Sequence, residues 1–359
     1  MKICILNGIN TNSGGSGSNS LSLWVSSFKK KNYEVDIINS VPNSKNKFIN
    51  KIYLFIYFIP GSFFRILPFC ISEYFIKLNF YDIFFIKKKK LNYKKIILSH
   101  HSLFYLGFLF KGLDAIIHDL IFLKSKNKKT NKLITKIYLK FELIVLRNFN
   151  HIYVQSYYEY RILKKLLPDK KIYLIESYKL SKKNFGVNNN NQKKIKELKN
   201  IILAADWRRK ENYLSLILFM IKSKNKKINF KIYGYSNFIF KKIIFILTKI
   251  YKNFTFIGRY KNTKDLNEDI IMSVSIFGAG IELKIMEHLS EGKIVICSKK
   301  SLQGYHIKCK KLPVLKLKNL YDFSSYEVLQ YINKNICKNT FNKFYINYKA
   351  EYKNLADCI

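Results

Sequence analysis

The chain has 359 residues, with 65 Lys and Arg against 23 Asp and Glu, a formal charge of +42. A hydrophobic fraction of 48% with 16% aromatics excludes an extended disordered polycation, because such a chain lacks the apolar area to offset its ordering entropy. The length suits two ordinary domains, and the Lys surplus comes with abundant Ile, Asn, Phe and Tyr and only 5 Pro, the signature of AT-rich codons, so much of the charge is compositional.

Lys2 to Leu6 reads as a buried strand, followed by the polar, glycine-rich stretch Asn10 to Ser18. Asn19 to Lys31 spaces Leu21, Leu23, Trp24 and Phe28 at helical intervals, and Val35 to Ile38 supplies a second strand. The start, MKICILNGIN, turns polar too soon for a signal peptide. Six cysteines (Cys4, Cys70, Cys297, Cys309, Cys337 and Cys358) form no C-x-x-C pair, which argues against disulfides or zinc and for a cytoplasmic protein.

Between Ile52 and Ile86 the longest uncharged piece, IYLFIYFIPGSFF, has 13 residues, short of the roughly 17 to 25 a membrane span requires. Amphipathic helices with an aromatic face, ending in Lys87 to Lys90, are expected there. That face either packs on the core or lies on an anionic membrane surface.

Further strands are expected at Lys94–Ser99, Ala115–Ile117 and Ile152–Gln155, and then Ser181 to Asn200 breaks the pattern with an Asn-rich, apolar-poor stretch. Alternation resumes with strands at Ile201–Ala205, Asn229–Tyr233, Phe254–Ile257, Val274–Phe277, Lys293–Cys297 and Val314–Leu317, separated by helices over Tyr213–Ile221, Phe238–Ile250 and Glu282–Ser290. Tyr321 to Asp357 looks helical. The expected fold is therefore α/β, with two Rossmann-like domains whose parallel sheets face each other across a cleft. The domains run over 1–180 and 201–335, with a linker at 181–200 and a helix at 336–359 packing back on the first domain.

Three stretches bear chemistry. The loop Asn10 to Ser18, with Gly14 and Gly15, sits where backbone N–H groups can approach an anion before a helix N-terminus, or is a plain flexible turn. His118-Asp119 closes an apolar strand, either to donate to a substrate oxygen or as a satisfied structural histidine. In Phe277-Gly278-Ala279-Gly280-Ile281-Glu282-Leu283-Lys284-Ile285-Met286-Glu287 a glycine turn opens into a helix. Lys284 and Glu287 lie one turn apart there, which suits a diphosphate and a ribose or is a solvated ion pair.

In order along the chain, NGINTNSGGSGSNSLSLWVSSFKKKNYEVDIIN, the His118-Asp119-Leu120 triplet, IYVQSYYEYRILKKL with Ser156 and Glu159, and FGAGIELKIMEHLSEGKIVICSKKSLQGY together resemble glycosyltransferases of the two-domain B fold. The resemblance is close to family 4, of the kind that builds bacterial cell-surface polysaccharide and lipopolysaccharide. It implies that Glu287 holds the ribose hydroxyls of a nucleotide-sugar donor, and that Lys284 and the backbone of Gly278, Ala279, Gly280 and Ile281 face its diphosphate. Gly14 and Gly15 would sit beneath the donor phosphate or acceptor, and His118, Lys284 and Glu287 form the implied catalytic set. Arg208, Arg209 and Lys210 compete for the family's basic role after the first strand of the second domain. The family's second glutamate, eight residues before Glu287, is Ala279 here.

No D-x-D motif is present, so no metal and no separate cofactor are expected. The resemblance implies retention of anomeric configuration and a lipid-linked or saccharide acceptor, reached from the cytoplasm at the inner face of the plasma membrane. Two other readings compete. One is a non-enzymatic basic module for nucleic acid or lipid, which no nucleic-acid-binding motif supports, so no nucleic-acid partner is expected. The other is a degenerate or epimerase-like member of the same fold.

Overall fold

The computed structural model describes residues 1–8, 16–39, 80–123, 132–178, 180, 197–223, 227–260, 266, 270–274, 282–291, 293–298, 301–306, 314–317, 323–335 and 338–359. The chain divides into two compact units, Met1–Lys179 with Tyr352–Ile359, and Leu180–Glu351. Most of the expected linker, 181–196, lies outside the described residues. The chain rejoins unit 1 at Tyr352, whereas the sequence pattern suggested 336.

Unit 1 holds β1 (Lys2–Asn7), β2 (Glu34–Asn39), β3 (Lys95–Ser99), β4 (Asp114–Ile117), β5 (His151–Val154) and β6 (Lys171–Leu174). They form one parallel sheet in the order β2-β1-β3-β4-β5-β6. The central strands are unbroken apolar runs because helices cover both faces of a parallel sheet, leaving no solvent side for an alternating pattern. Helix α1 (Ser16–Lys30) lays Leu21, Leu23, Trp24 and Phe28 onto Ile3, Ile5, Ile97 and Ile116, and the same core takes in Leu355, Ala356 and Cys358 from the chain terminus. That terminal segment docks through Lys353, whose N–H donates to the Leu174 carbonyl at 2.9 Å while its own carbonyl accepts from Glu176 N–H at 2.9 Å. Helices α2 (Phe80–Lys89), α3 (Lys132–Arg147) and α4 (Tyr157–Leu166) also belong to the unit, with a single helical turn at Leu106–Leu109.

Unit 2 holds β7 (Asn200–Ala204), β8 (Asn229–Tyr233), β9 (Phe254–Gly258), β10 (Ile270–Ser273), β11 (Ile294–Ser298) and β12 (Val314–Leu317), parallel in the order β12-β11-β10-β7-β8-β9. Helices α5 (Lys210–Lys222), α6 (Phe238–Ile250), α7 (Leu283–Ser290), α8 (Ser325–Asn335) and α9 (Lys338–Glu351) accompany them. Its core is aromatic: Phe230 stacks on Phe254 with centroids 4.8 Å apart, and Phe219 stands edge-on to both.

A strand lies at Ile270–Ser273, where Ile270 to Ser273 register with Ile294 to Cys297, just ahead of the strand expected at Val274–Phe277, of which 275–277 lie outside the described residues. The stretch expected to be helical, Tyr321–Asp357, contains α8, α9 and a 3₁₀ turn at Leu355–Asp357.

One backbone position controls the loop after β8. Gly234 has φ +141°, and a Cβ there would run into the Ala205 carbonyl and crowd the Trp207 indole. Gly234→Ala is therefore expected to destabilise unit 2 by about 3 kcal/mol or more, through left-handed strain plus overpacking. Urea unfolding followed by Trp207 fluorescence in a Trp24→Phe background checks this, since the chain's two Trp lie one in each unit.

Candidate functional site

In each sheet the strand order reverses once, between β1 and β3 in unit 1 and between β7 and β10 in unit 2. The loops leaving the C-terminal ends of the strands part there, and open α/β sheets bind ligands at that point.

In unit 1 the reversal brings Gly8 beside Ser99, with the Gly8 N–H donating to the Ser99 carbonyl at 3.0 Å. A Cβ on Gly8 would press on the His100 Cβ and Ser102 Oγ, both at 3.1 Å, so only glycine lets the two loops close up. His100 has φ +116°, a costly conformation for a residue with a side chain. Its Nδ1 lies 2.8 Å from Ser102 Oγ and accepts from Ser102 N–H, and its ring lies 3.9 Å from that of His101. His118 arrives from the end of β4, half-buried, with Nε2 3.2 Å from Ser99 Oγ and its ring 5.9 Å from Trp24 and 6.3 Å from His100.

Two buried carboxylates hold the His118 loop. Glu159 accepts from Leu120 N–H at 2.8 Å, and Glu142 accepts from Ile121 and Phe122 N–H, both at 3.0 Å. These N–H groups open the short helical turn after His118-Asp119, whose first amides have no partner within the turn. Ser156 in turn caps α4, its Oγ accepting from Glu159 N–H at 3.5 Å. Glu159 and Glu142 are positioning residues for His118.

In unit 2 the reversal anchors α7. Glu282, just before the helix, accepts from Ser273 Oγ at 2.8 Å, and its backbone carbonyl accepts from Tyr305 Oη at 2.7 Å. Lys284 Nζ is 3.8 Å from the Glu282 carboxylate. Glu287 lies one turn along, mostly buried; burial and the charge of Glu291 push its carboxyl above the ordinary carboxylate range. The Tyr260 phenol is pushed up to about 12 by burial and by the charge of Glu287. A carboxylate kept half out of water gains from any hydroxyl that donates to it.

Beside this lies a cation–aromatic stack. Arg208 binds Asp206 through two side-chain bonds of 2.8 Å, and its guanidinium lies 4.9 Å from the Tyr235 ring centre. Arg259 sits 4.0 Å from the same ring and donates to Tyr235 Oη at 2.6 Å. Burial pushes Asp206 up, but the hydrogen bonds from Arg208 outweigh it and hold the carboxyl below its usual value. With the Arg208 Nε and Nη2 donors taken by Asp206 and an Arg259 donor by Tyr235, the remaining N–H groups of the two guanidiniums on this ring are the ones that could meet an anion.

Among the competing cations, Arg208 is thus ordered by Asp206, Arg209 is exposed just before α5, and Lys210 opens that helix with its side chain outside the described residues. Gly14, Gly15, Gly278, Ala279, Gly280 and Ile281 also lie outside them. His100, Glu142, Glu282, Tyr235 and Arg259 escape a sequence reading. The Ser99-His100-His101 run at the end of a buried strand is the signal that could have revealed the first.

These two parallel-sheet units constitute the two-domain B fold of glycosyltransferases. Solved structures similar to the chain include a glycosyltransferase from Rickettsia africae ESF-5, at 15% identity over 99% of this chain and 95% of that one with a TM-score of 0.57. TarM matches at 13% identity over 98% and 96%, with a TM-score of 0.64. Anabaena Alr3699/HepE, solved in complex with UDP and glucose, matches at 12% identity over 98% and 96%, with a TM-score of 0.58. At these identities the likeness is one of fold. No family model matches the sequence, and no curated protein matches it.

Two expected outcomes follow from the geometry. Glu142→Ala leaves two buried N–H groups without an acceptor and is expected to destabilise unit 1 by about 2 to 4 kcal/mol, read by urea unfolding with Trp24 fluorescence in a Trp207→Phe background. The second concerns His288 on α7, 2% exposed, whose ring nitrogens have no hydrogen-bond partner among the described residues. Burial, with Lys284 and Lys293 nearby, lowers its pKa to about 3. An unfolded histidine titrates near 6.5, so below that pH the unfolded chain binds a proton that the folded chain refuses. Stability of unit 2 should fall as pH drops from about 6.5 toward 3, by up to about 1.4 kcal/mol per pH unit. Glu287, with its folded pKa raised, acts in the opposite sense at the lower end of that range. His288→Leu should remove the His288 part of the slope in unfolding measured between pH 7 and about 5.

Proposed function

We propose that the chain is a family 4-like glycosyltransferase of surface polysaccharide or lipopolysaccharide synthesis. It would move a sugar from a nucleotide-sugar donor to a lipid-linked or saccharide acceptor, with retention and without a metal or other cofactor. In this reading the protein works in the cytoplasm, peripheral on the inner face of the plasma membrane. The observation that carries it is the α7 assembly, anchored by Ser273 on Glu282 with Lys284 and a mostly buried Glu287 one turn apart, at the strand reversal of a transferase fold. The UDP bound to Anabaena Alr3699/HepE, which shares that fold, makes uridine diphosphate sugars the first donors to test.

The chemistry needs three things from the chain. Glu287 accepts from the ribose hydroxyls and orients the donor. As the bond between the anomeric carbon and the phosphate oxygen breaks, its electron pair stays on the diphosphate. That charge is met by Lys284, the N-terminus of α7 and the Arg208–Arg259 stack. The acceptor hydroxyl forms its new bond on the face the phosphate leaves and passes its proton to a phosphate oxygen. His118, ordered by Ser99, has the transferred sugar as its assigned partner.

A nucleotide-sugar panel in a thermal-shift assay tests the reading, since a ligand bound only by the folded state raises its apparent stability. A uridine diphosphate sugar is expected to raise the midpoint and Lys284→Ala to weaken that effect. Glu287→Ala is expected to lower transfer by about 10- to 100-fold, the equivalent of one lost hydrogen bond to a charged group. No shift with any nucleotide sugar would overturn the proposal.

A further inference from the structure

Helix α6 is apolar on all sides. Phe240 and Ile244 are buried in the unit 2 core and Leu247 packs against it, yet Phe238 (71% exposed), Ile239 (69%), Phe245, Ile246 and Ile250 all point away. The neighbouring strand β9, at the edge of its sheet, adds exposed Ile257. A surface helix ordinarily turns a polar face to water, and a contiguous apolar patch marks a surface that meets something.

Cations are set among these side chains. The Lys242 ammonium lies 4.5 Å from the ring centre of Phe238, and that of Lys249 lies 4.6 Å from the ring centre of Phe245. Lys241 and Lys252 join Lys249 in lining a groove of about 1000 Å³ between helix and strand, which also exposes Phe245 and Phe256. From Asn212 to Lys264 the sequence has 12 Lys and Arg and no Asp or Glu. The surface is thus apolar and cationic, without a carboxylate from its own stretch.

Charge complementarity selects the occupant. A second copy of this face would bring lysines against lysines. Nucleic acid would satisfy the lysines but leave Ile239, Ile246 and Ile250 wet, because aliphatic chains have no ring face for a base to stack on. An anionic bilayer satisfies both, since rings and aliphatic chains enter the headgroup boundary while lysine stems lie along them and hold their ammoniums among the phosphates.

We propose that α6 and the adjoining rim of β9 form a docking surface for an anionic lipid bilayer, with α6 lying in the plane of the interface. This takes up the inner-face setting of the proposed function but needs none of its chemistry. It also differs in place from the aromatic segment 52–90, of which 52–79 lies outside the described residues.

Flotation of the full chain with phosphatidylcholine vesicles, and with vesicles also containing phosphatidylglycerol, tests it. Binding is expected only to the anionic vesicles and should weaken with salt. Two double variants, Phe238→Ser with Phe245→Ser and Lys242→Glu with Lys249→Glu, alter exposed side chains and should keep the wild-type melting midpoint. Each should lower vesicle binding by about tenfold or more. The proposal is overturned if the wild type does not bind anionic vesicles, if it binds neutral ones equally, or if both variants bind as the wild type does. A solution dimer that the phenylalanine variant dissolves would assign the face to a second copy and overturn it too. Both variants should retain any thermal shift with a nucleotide sugar. Vesicle binding without such a shift would count against the transferase and leave the surface in place.

Discussion

A parallel strand delivers its last residues to one end of the sheet, and where strand order reverses, the loops from two adjacent strands turn to opposite faces. The Gly8–His100 loops and the start of α7 depend on that divergence. In unit 1 it opens between β1 and β3, where Gly8 and His100 are forced together. In unit 2 it opens between β7 and β10, where Ser273 ties Glu282 to the strand end and so aims the start of α7. Neither arrangement needs a long-range ion pair, because the sheet already brings the strand ends into register.

The carboxylates explain how these loops stay ordered in so basic a chain. With only 23 Asp and Glu, many are committed inward. Glu142 and Glu159 accept from backbone N–H groups and Glu282 from a serine. At the opposite end of β4, Asp114 is buried and accepts from the His151 N–H, Tyr153 Oη and Lys95 Nζ. A buried carboxylate is tolerable only with such partners. Carboxylates used this way do not neutralise lysines elsewhere, so the inward placement of acid leaves the exterior more cationic than composition alone would make it.

The alternation of apolar runs and helical stretches was enough to read the two parallel sheets, because a strand buried on both faces is continuous in its apolarity and a glycine or polar loop ends it. Boundaries were less legible. IIMSVSIF is uniformly strand-like, so its pattern does not mark where the strand paired with Ile294 to Cys297 begins, which is at Ile270. Strand β6, Lys171–Leu174, is not legible in the sequence because four residues with exposed Lys171 carry too little pattern. At the sites, residues close in sequence were visible and residues joined by topology were not. Lys284 and Glu287 share one helix, whereas Arg208, Tyr235 and Arg259 follow three different strands and meet only through the order β7-β8-β9. Glu142 looks like any charge on an amphipathic helix until the backbone turn it caps is in place.

The same distinction bears on the +42. Sequence composition treats each lysine alike, and near Lys87 to Lys90 rings and cations are adjacent in sequence. Folding sorts them differently. α2 ends in that lysine run with Phe84 and, just past it, Leu91 exposed, whereas α6 turns six large apolar side chains outward among its lysines. Surface attraction to anionic lipid falls off within a Debye length, and apolar insertion requires direct contact, so cations and rings act jointly only when one face presents both. On the described surface α6 meets that condition, which makes the location of the charge, rather than its total, the property that bears on where this protein resides.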